Sequence, residues 1–502
     1  MSEPLPGMPV FEAPVAALKD ASAVVVYRKV PAGAEVFWIK REKQLRFAGG
    51  FYAFPGGKVD KADRDVPVEG AAGQAAALIV TAARELLEET GLLKARPAAR
   101  VSAEGLRAMR TELLEERTPF AKLLERHQLS LHAADFLEAG RWATPPFLPV
   151  RFDARFFLVE APEGQQAEVW PGELSEGAWI APALALKRWR EGTALLHPPN
   201  HHALAVMAGF KDPTSARVAL AEVQHVVDFV AERIEFQQGV KLFPLRTLTL
   251  PPATHTNAYV LGTTELLVID PGSADDAETD RLVALLLQLQ AEGAVLKAVV
   301  LTHHHGDHVG GLAQLVRRLR LPVWSHARTA DRLDVKTDRL LVDGEVLTLG
   351  DMRWRVLHTP GHARGHVCLY DEASRAAVVG DMVAGFGTIV IDPPEGDMID
   401  YLAQLRRLEA LPVTTLYPSH GPAIPDGPGK LAEYLQHRLW REEKVLAALG
   451  AGPVTLEELV PRAYDDVNAF VQPIAERSTF AILGKLAREG RVRLSDGRYA
   501  IS

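Results

Sequence analysis

Four side chains that commonly bind metals are concentrated in Leu301–Gly311 (LTHHHGDHVGG): His303, His305, Asp307 and His308. Imidazole and carboxylate groups are the ligands that zinc-type cations prefer. A packed loop can direct alternate side chains to one point and their neighbours to another, about 3.5–4 Å away. The segment therefore predicts a site for two metal ions, the alternative being a solvated histidine-rich turn.

Three further candidates follow downstream, each in a loop after a short apolar run that is predicted to be a buried strand. The apolar run at 295–300 precedes the histidine segment in the same way. Strands and helices alternate here, which favours layered α/β packing in which such loops meet at one sheet edge. The downstream candidates are His362 in HTPGHARGH, Asp381 after 377–380 and His420 in YPSHGP.

The motifs THxHxDHxGG, TPGH, GD and a late HG resemble those of the metallo-β-lactamase superfamily, whose domains are αββα sandwiches. The resemblance implies hydrolysis by a hydroxide held between two zinc ions, with Asp307 as both ligand and catalytic residue. Asp381 would bridge the ions and Asp270 would orient a ligand, while His366 would contact substrate or support a ligand. The implied ligand sets are His303, His305 and His362 for one ion, and Asp307, His308 and His420 for the other.

A second cluster lies on Gln74–Leu93, where the apolar spacing predicts a helix that ends at Gly91. Glu85 precedes Glu88 and Glu89 by three and four positions, so the three carboxylates share one face. Like charges on one face repel each other, and oxygen ligands suit magnesium or manganese ions that would bridge them. The alternative is an ordinary solvated acidic face.

The glycine loop FPGG and the helix motif REllEEtGl (84–92) resemble the Nudix box, which implies an α/β/α sandwich and metal-assisted hydrolysis of a diphosphate. The match departs in that 20 residues separate Asp63 from Arg84 and that an Asp replaces the upstream Glu. The enlarged loop resembles the coenzyme A diphosphatase branch, although residues 37–39 and Glu42 differ from its signature. The implied cation ligands, one of them a general base, are Glu85, Glu88 and Glu89, and the implied substrate contacts are Arg41, Arg46, Gly56 and Gly57.

Neighbouring residues have supporting roles in this interpretation. Arg84 is expected to fix the carboxylates, while Glu173 or Glu176 would supply a further ligand or base unless it is an ordinary loop carboxylate. Residues 101–142 are predicted to be helical and to act as a lid or support.

The C-terminal segment is predicted to contain a hinge at 427–429, helices at 430–449, 455–464 and 474–489, and a hairpin at 491–501. Helices followed by a hairpin suggest a winged helix, which binds nucleic acid or buttresses a neighbour. Residues 385–398 and 433–442 resemble the lactamase-like protein 2 group, which includes a single-strand endoribonuclease and thioester hydrolases. The basic residues of the segment are Arg477, Lys485, Arg488, Arg491, Arg493 and Arg498.

Length and composition agree with several cytoplasmic domains. A chain of 502 residues is expected to form about three domains, and its net charge of −8 gives no global attraction to nucleic acid or anionic membranes. The single Cys368 is interpreted as a core residue in a reducing compartment. No secretory signal and no apolar run long enough to span a membrane are present. The predicted organisation is an N-terminal tail (1–20), a Nudix domain (21–235), a metallo-β-lactamase domain (243–424) and a winged helix (427–502).

The sequence therefore predicts an α/β and α+β multidomain hydrolase with two activities. The N-terminal half would cleave a diphosphate in coenzyme A or an acyl-coenzyme A with Mg²⁺ or Mn²⁺, and the C-terminal half would hydrolyse a thioester with two Zn²⁺ ions. The alternative is an endoribonuclease that binds single-stranded RNA, joined to a hydrolase of nucleoside diphosphate derivatives. A third hypothesis is that one half is an inactive scaffold.

Overall fold

The computed structural model describes residues 15–31, 33–45, 48–97, 101–222, 226–250, 252–450, 452–467 and 472–502. The predicted substrate contact Arg46 and residues 1–14 of the predicted tail lie outside these ranges. The chain divides into one compact unit of Pro14–Lys241 and another that contains Leu242–Ser502, and each is described by itself. No helix within the described ranges is long and apolar enough to cross a membrane.

The strands of the first unit include those of one main sheet and of a separate two-stranded sheet. They are β1 (Leu18–Val30), β2 (Gly33–Arg41), β3 (Tyr52–Ala53), β4 (Gly56–Lys58), β5 (Val68–Glu69), β6 (Leu131–His132), β7 (Leu137–Ala143), β8 (Arg151–Glu160), β9 (Leu174–Ile180), β10 (Val226–Val227), β11 (Val230–Ala231) and β12 (Ile234–Gln237). One sheet has the order β10-β11-β7-β8-β1-β2-β3, with β4 paired to β1 and β9 paired to β2. The prediction of a tail at 1–20 is wrong at its end, because Leu18 already pairs with Arg151 of the parallel strand β8.

The helices of the first unit are α1 (Gly73–Thr90), α2 (Ala103–Leu114), α3 (Phe120–Arg126), α4 (Pro182–Arg190), α5 (Pro198–Gly209) and α6 (Arg217–Ala221). Helix α1 packs apolar residues such as Leu86 against Val24 and Phe157 of the sheet. It ends before Leu93, because Gly91 takes a left-handed conformation with φ 73° and its N–H bonds to the carbonyl of Leu87. The prediction of helix throughout 101–142 is wrong, since strand β7 occupies its last part and pairs with β8.

The second unit contains two main sheets with helices on each. Its strands are β13 (Val240–Arg246, which begins in the first unit), β14 (His255–Leu261), β15 (Glu265–Ile269), β16 (Val295–Val300), β17 (Val323–His326), β18 (Arg339–Leu341), β19 (Val346–Leu349), β20 (Met352–His358), β21 (Val367–Asp371), β22 (Ala376–Gly380), β23 (Thr415–Pro418), β24 (Val492–Ser495) and β25 (Arg498–Ile501). Its helices are α7 (Asp276–Ala291), α8 (Gly306–Val309), α9 (Leu312–Leu319), α10 (Ala327–Ala330), α11 (Met398–Glu409), α12 (Gly427–Leu449), α13 (Leu456–Ala463) and α14 (Gln472–Arg488).

The two sheets follow the order β13-β14-β15-β16-β17-β18 and β19-β20-β21-β22-β23. Helices α7 and α9 pack Leu282 and Leu312 against the first sheet, while α11 and α12 share a core with the second. This is the predicted αββα arrangement, and the loops after β16, β20, β22 and β23 contain the predicted metal ligands.

The C-terminal segment contains α12, α13, α14 and the hairpin β24-β25. Thr455 and Glu458 form the capping box that the sequence predicts at the start of α13. The hairpin turns at Asp496 and Gly497, which both have positive φ. The predicted hinge at 427–429 is wrong, because these residues form the first turn of α12, where a proline is well tolerated.

Gly272, in the loop after β15, tests how tightly the backbone of the second unit is packed. A Cβ at this position would overlap the carbonyl oxygen of Asp307, so we expect Gly272→Ala to destabilise the protein by about 3 kcal/mol. Gly484→Ala is the matched control, because its Cβ would contact nothing and alanine favours the helix α14 by about 1 kcal/mol. Denaturant unfolding should move the midpoint down for the first variant and slightly up for the second. An unchanged midpoint for Gly272→Ala would contradict this packing.

Candidate functional site

Three histidines converge where β16 and β20 end. His303 and His305 lie in the loop after β16, and the Nε2 atom of His303 is 3.0 Å from Nδ1 of His305. The Nε2 atom of His362, in the loop after β20, is 2.9 Å from the same Nδ1 atom. The ligand atoms of the three residues all lie within 4.8 Å of one another, which is the spacing of a metal-binding group.

A second group lies beside the first. It consists of Asp307, His308 and His420, whose ligand atoms also lie within 4.8 Å of one another. The carboxylate of Asp381 lies between the groups, with Oδ2 3.5 Å from His362 Nε2 and Oδ1 3.6 Å from His308 Nε2. The structure thus brings all seven predicted C-terminal ligands together, in the two sets that the resemblance implies.

The second nitrogen of several ligand rings is fixed by the protein. His362 Nδ1 donates to the carbonyl of Val390 at 2.9 Å, and His420 Nδ1 donates to the carbonyl of His255 at 3.1 Å. Such bonds select the tautomer and orient the free nitrogen towards the centre. Sequence reasoning missed both acceptors, because a backbone carbonyl has no signature in the side-chain sequence.

Asp270 orients the histidine loop. Its carboxylate accepts a hydrogen bond from His308 Nδ1 at 2.8 Å and bonds from the backbone N–H and the hydroxyl of Thr302, at 2.7 and 2.5 Å. Asp270 could also form a metal-binding group with His303 and His308. Because three donors already occupy its oxygens, the geometry favours the supporting role that the resemblance implies.

Two buried atoms at the centre fit a bound metal. In the described part of the chain, His308 Nε2 and Asp381 Oδ1 are buried without a hydrogen-bond partner. A buried polar atom left unsatisfied costs about 1–3 kcal/mol, and a cation would satisfy both. Histidine nitrogens and carboxylate oxygens are ligands of the types that zinc binds. The residues present therefore fit a metal centre.

The electrostatics of the centre also favour a cation. Burial disfavours the charged form of Asp381, but the adjacent His420 and His308 outweigh it and hold the pKa of this carboxyl well below its usual range. Burial holds the pKa values of His303 and His362 well below the usual value, so both rings are neutral, as metal ligands must be. Despite burial, the neighbouring carboxylates raise the pKa values of His308 and His420, so these two rings compensate the buried carboxylates when no metal is bound. A bound cation would take over that role.

His366 lies beneath the centre and is fully buried. Its Nδ1 is 2.8 Å from the hydroxyl of Thr359, and its Nε2 accepts the backbone N–H of Asp381 at 3.0 Å. Both nitrogens are thus engaged inside the protein, which argues against the predicted substrate contact and favours the predicted support of a ligand. Cys368 is buried beside Thr359, and burial raises its pKa to about 12, in agreement with a core role.

Two stretches of the chain match known families. Residues 251–420 match the metallo-beta-lactamase superfamily, and residues 455–498 match the beta-lactamase associated winged helix domain. A beta-lactamase-like protein 2 homolog from Caenorhabditis elegans is 30% identical over 243 residues, which are 47% of this chain and 80% of the relative. The chain belongs to the metallo-β-lactamase superfamily. This membership confirms the predicted hydrolase class, the mixed α/β multidomain fold and the C-terminal winged helix.

Other proteins are similar to part of this metallo-β-lactamase superfamily member. An atrochrysone carboxyl ACP thioesterase from Aspergillus chevalieri is 32% identical over 47% of this chain and 77% of the relative. A metallo-beta-lactamase family protein from Thermus thermophilus has 27% identity and a TM-score of 0.45, over 53% of this chain and 99% of that chain. A NUDIX hydrolase from Alicyclobacillus acidocaldarius has 27% identity and a TM-score of 0.37, over 41% of this chain and 99% of that chain.

In the first unit, two of the three predicted glutamates bond to one arginine. Arg84 donates to Glu85 at 2.8 Å and to Glu88 at 2.9 Å, and also pairs with the buried Asp63 at 3.0 Å. Arg84 therefore has the predicted role of fixing the carboxylates. Glu89 accepts the backbone N–H of Gly56 at 2.8 Å.

The glycine loop lies directly against these carboxylates, since a Cβ at Gly57 would overlap the side chain of Glu85. Among described residues, however, the groups with metal-ligand spacing lie in the second unit, and the three glutamates do not form one. Glu176 is engaged by Tyr52 and by Lys40, which favours a structural role over that of a free ligand or base. The magnesium or manganese site and its substrate contacts Arg41, Gly56 and Gly57 stay predictions.

The same carboxylates resist ionisation in the metal-free protein. Burial, and then the charge of Glu85, raise the pKa of Glu88 to about 7 and that of Glu89 to about 8. Arg41 lies close enough to Glu89 to oppose the rise. At neutral pH the cluster is therefore only partly charged.

Asp270→Asn tests the orientation of the metal ligands. An amide cannot accept all the bonds that the carboxylate accepts, so we expect metal affinity to fall by about 10- to 100-fold. Metal content after dialysis against a chelator measures the loss. Asp371→Asn is the matched control, because Asp371 is equally buried but caps a turn at Ser374. Equal metal loss in both variants would contradict the role of Asp270.

Glu89→Gln tests whether the pKa of this buried carboxyl is raised in the folded protein. The pKa of Glu89 is higher in the folded protein than in the unfolded chain. The free energy of unfolding is therefore greatest while this carboxyl is protonated, and it falls as pH rises from about 4.5 through about 8. We therefore expect the variant, without metal, to lose less stability than the wild type between pH 5 and 8.5. Denaturant midpoints at both pH values measure this, with exposed Glu163→Gln as the control. A pH profile for Glu89→Gln that matches the wild type would contradict the assignment.

Proposed function

We propose that the second unit hydrolyses a thioester, with Zn²⁺ held by the two ligand groups that Asp381 joins. The observation that carries the proposal is the convergence of the seven ligands, two of whose buried atoms, His308 Nε2 and Asp381 Oδ1, have no hydrogen-bond partner among the described residues. The relatives named as thioesterases, which are 31–32% identical over about half of this chain, support the choice of substrate.

Zinc bound at this centre would supply polarisation of the thioester carbonyl and a water of lowered pKa. The protein's own residues would hold the site in shape. Asp270 and Thr302 fix the histidine loop, the carbonyls of Val390 and His255 fix two rings, and His366 fixes the backbone of Asp381. Asp307 has the most exposed carboxylate of the centre, which supports a position for it at the side open to substrate.

We propose further that the first unit cleaves the diphosphate of a coenzyme A derivative with Mg²⁺ or Mn²⁺. The support is local: Glu85, Glu88 and Glu89 lie on one helix face against the glycine loop. Raised carboxyl pKa values are common in catalytic clusters. Together the two activities would make the chain a bifunctional hydrolase of acyl-coenzyme A.

The charges of the winged helix favour a thioester over RNA as the substrate. Within the described residues, five of its six predicted basic side chains, all except Arg493, pair with carboxylates of the same unit: Arg488 with Asp397, and both Lys485 and Arg491 with Glu442. Arg477 pairs with Asp392 and Arg498 with Glu458. A guanidinium already paired with a carboxylate contributes little to phosphate binding, which depends on uncompensated positive charge.

Mass spectrometry of products tests both activities at once. The full-length protein, loaded with zinc and magnesium, is incubated with acetyl-coenzyme A. We expect a free coenzyme A thiol that disappears in Asp307→Ala, and 3′,5′-ADP that disappears in Glu89→Gln. Each variant is the control for the other, because the two substitutions lie in different units.

Absence of both products from metal-loaded protein would contradict the proposal. Cleavage of single-stranded RNA that is lost in Asp307→Ala would then favour the alternative function. If the wild-type protein releases the free thiol but no 3′,5′-ADP, the diphosphatase activity is contradicted and the thioesterase activity is still supported.

A further inference from the structure

The segment between Asp381 and α11 connects the metal centre to the C-terminal helices. We define residues 384–397 as the site loop. Its residue Val390 provides the carbonyl that accepts His362 Nδ1 at 2.9 Å, so the position of the loop determines the direction of that metal-ligand ring. The loop has little regular structure of its own, and its position must therefore be fixed by its neighbours.

One face of α12 holds this loop. The hydroxyl of Tyr434 accepts the backbone N–H of Ala384 at 2.8 Å and donates to the carbonyl of Gly387 at 2.9 Å. Arg438, one turn later on the same face, donates to the carbonyl of Ile389, the residue before Val390. Arg438 is 5% exposed, so this bond is protected from competing water.

Arg438 also contacts a second route to the centre. Its guanidinium lies over the ring of Tyr401, 5.2 Å from the ring centroid. The hydroxyl of Tyr401 donates to the carbonyl of Met382 at 2.6 Å, and Met382 follows Asp381 directly. Arg438 is therefore linked to the backbone next to Val390, whose carbonyl orients His362, and through Tyr401 to the backbone next to Asp381.

The same face of α12, about one turn further along, holds the winged helix. Arg441 donates to Asp466 at 2.7 Å and to the carbonyl of Ala463, while Glu442 accepts Lys485 at 2.7 Å. Residues 433–442 thus serve two partners, the site loop and the winged helix. The hydrolytic function itself assigns no role to this motif.

We propose that Arg438 and Tyr434 are positioning residues of the metal centre, which act through the site loop and the Val390 carbonyl on His362. Metal affinity thereby depends on α12, which also anchors the winged helix. The inference concerns the metal ligands alone and holds for any substrate.

The test compares two buried arginines of one helix. Arg438→Met removes the donor to the site loop, and we expect zinc affinity to fall by about 10- to 100-fold, measured by competition with a chelating dye. The visible spectrum of the cobalt-substituted protein should change as well. Arg441→Met is the matched control, because Arg441 is 4% exposed and lies over Tyr464 but contacts no residue of the site loop among its described bonds. We expect its zinc affinity to stay within twofold of the wild type.

Two further variants separate positioning from folding. Arg438→Lys keeps a cationic donor and should recover part of the affinity. Tyr434→Phe removes one hydroxyl and no buried volume, so it should fold and lose about tenfold in zinc affinity. Equal affinity loss in Arg438→Met and Arg441→Met would overturn the proposal, as would wild-type zinc binding by Tyr434→Phe. Because the readout is zinc binding, failure of the thioesterase assay leaves this result unaffected.

Discussion

Buried carboxylates impose the main physical constraint on the second unit. Asp270 and Asp381 are almost fully buried among histidine rings, and an ionised carboxylate inside a protein must be paired or coordinated. Asp270 is hydrogen-bonded to Thr302 and His308, whereas Asp381 keeps an oxygen without a hydrogen-bond partner among the described residues. The two residues therefore have different roles: Asp270 orients ligands, and Asp381 remains available to a cation.

The fold makes this convergence possible by ending several strands at one place. The ligands come from loops after β16, β20, β22 and β23, which belong to two different sheets. Close approach of the loops requires residues without side chains, and Gly272 packs against the carbonyl of Asp307 for this reason. Rigid strands with short loops therefore fix the ligands before any metal binds, which limits the entropy lost on binding.

Features that depend on neighbouring residues could be predicted from the sequence, whereas features that depend on distant contacts could not. The ligands were predictable because His303 and Asp307 belong to a dense local motif, and the capping box of Thr455 is equally local. The acceptors for His362 and His420 are backbone carbonyls, and the partner of Arg488 lies 91 residues away, so neither has a local signal. The strand within 101–142 was missed because pairing with β8 overrides helical spacing.

The two acidic clusters balance their charge in different ways, and this difference has consequences for metal binding. In the second unit, the neutral rings of His303 and His362 and the ionised Asp381 already have the protonation states that a metal requires, and only His308 and His420, whose pKa values, despite burial, are raised by the neighbouring carboxylates, would give up protons. In the first unit, Arg84 compensates part of the charge, and Glu88 and Glu89 retain protons near neutral pH. A divalent cation there must displace those protons, so its affinity would rise steeply with pH. Arg84 thus stabilises the metal-free cluster and at the same time competes with the cation that a diphosphatase would need.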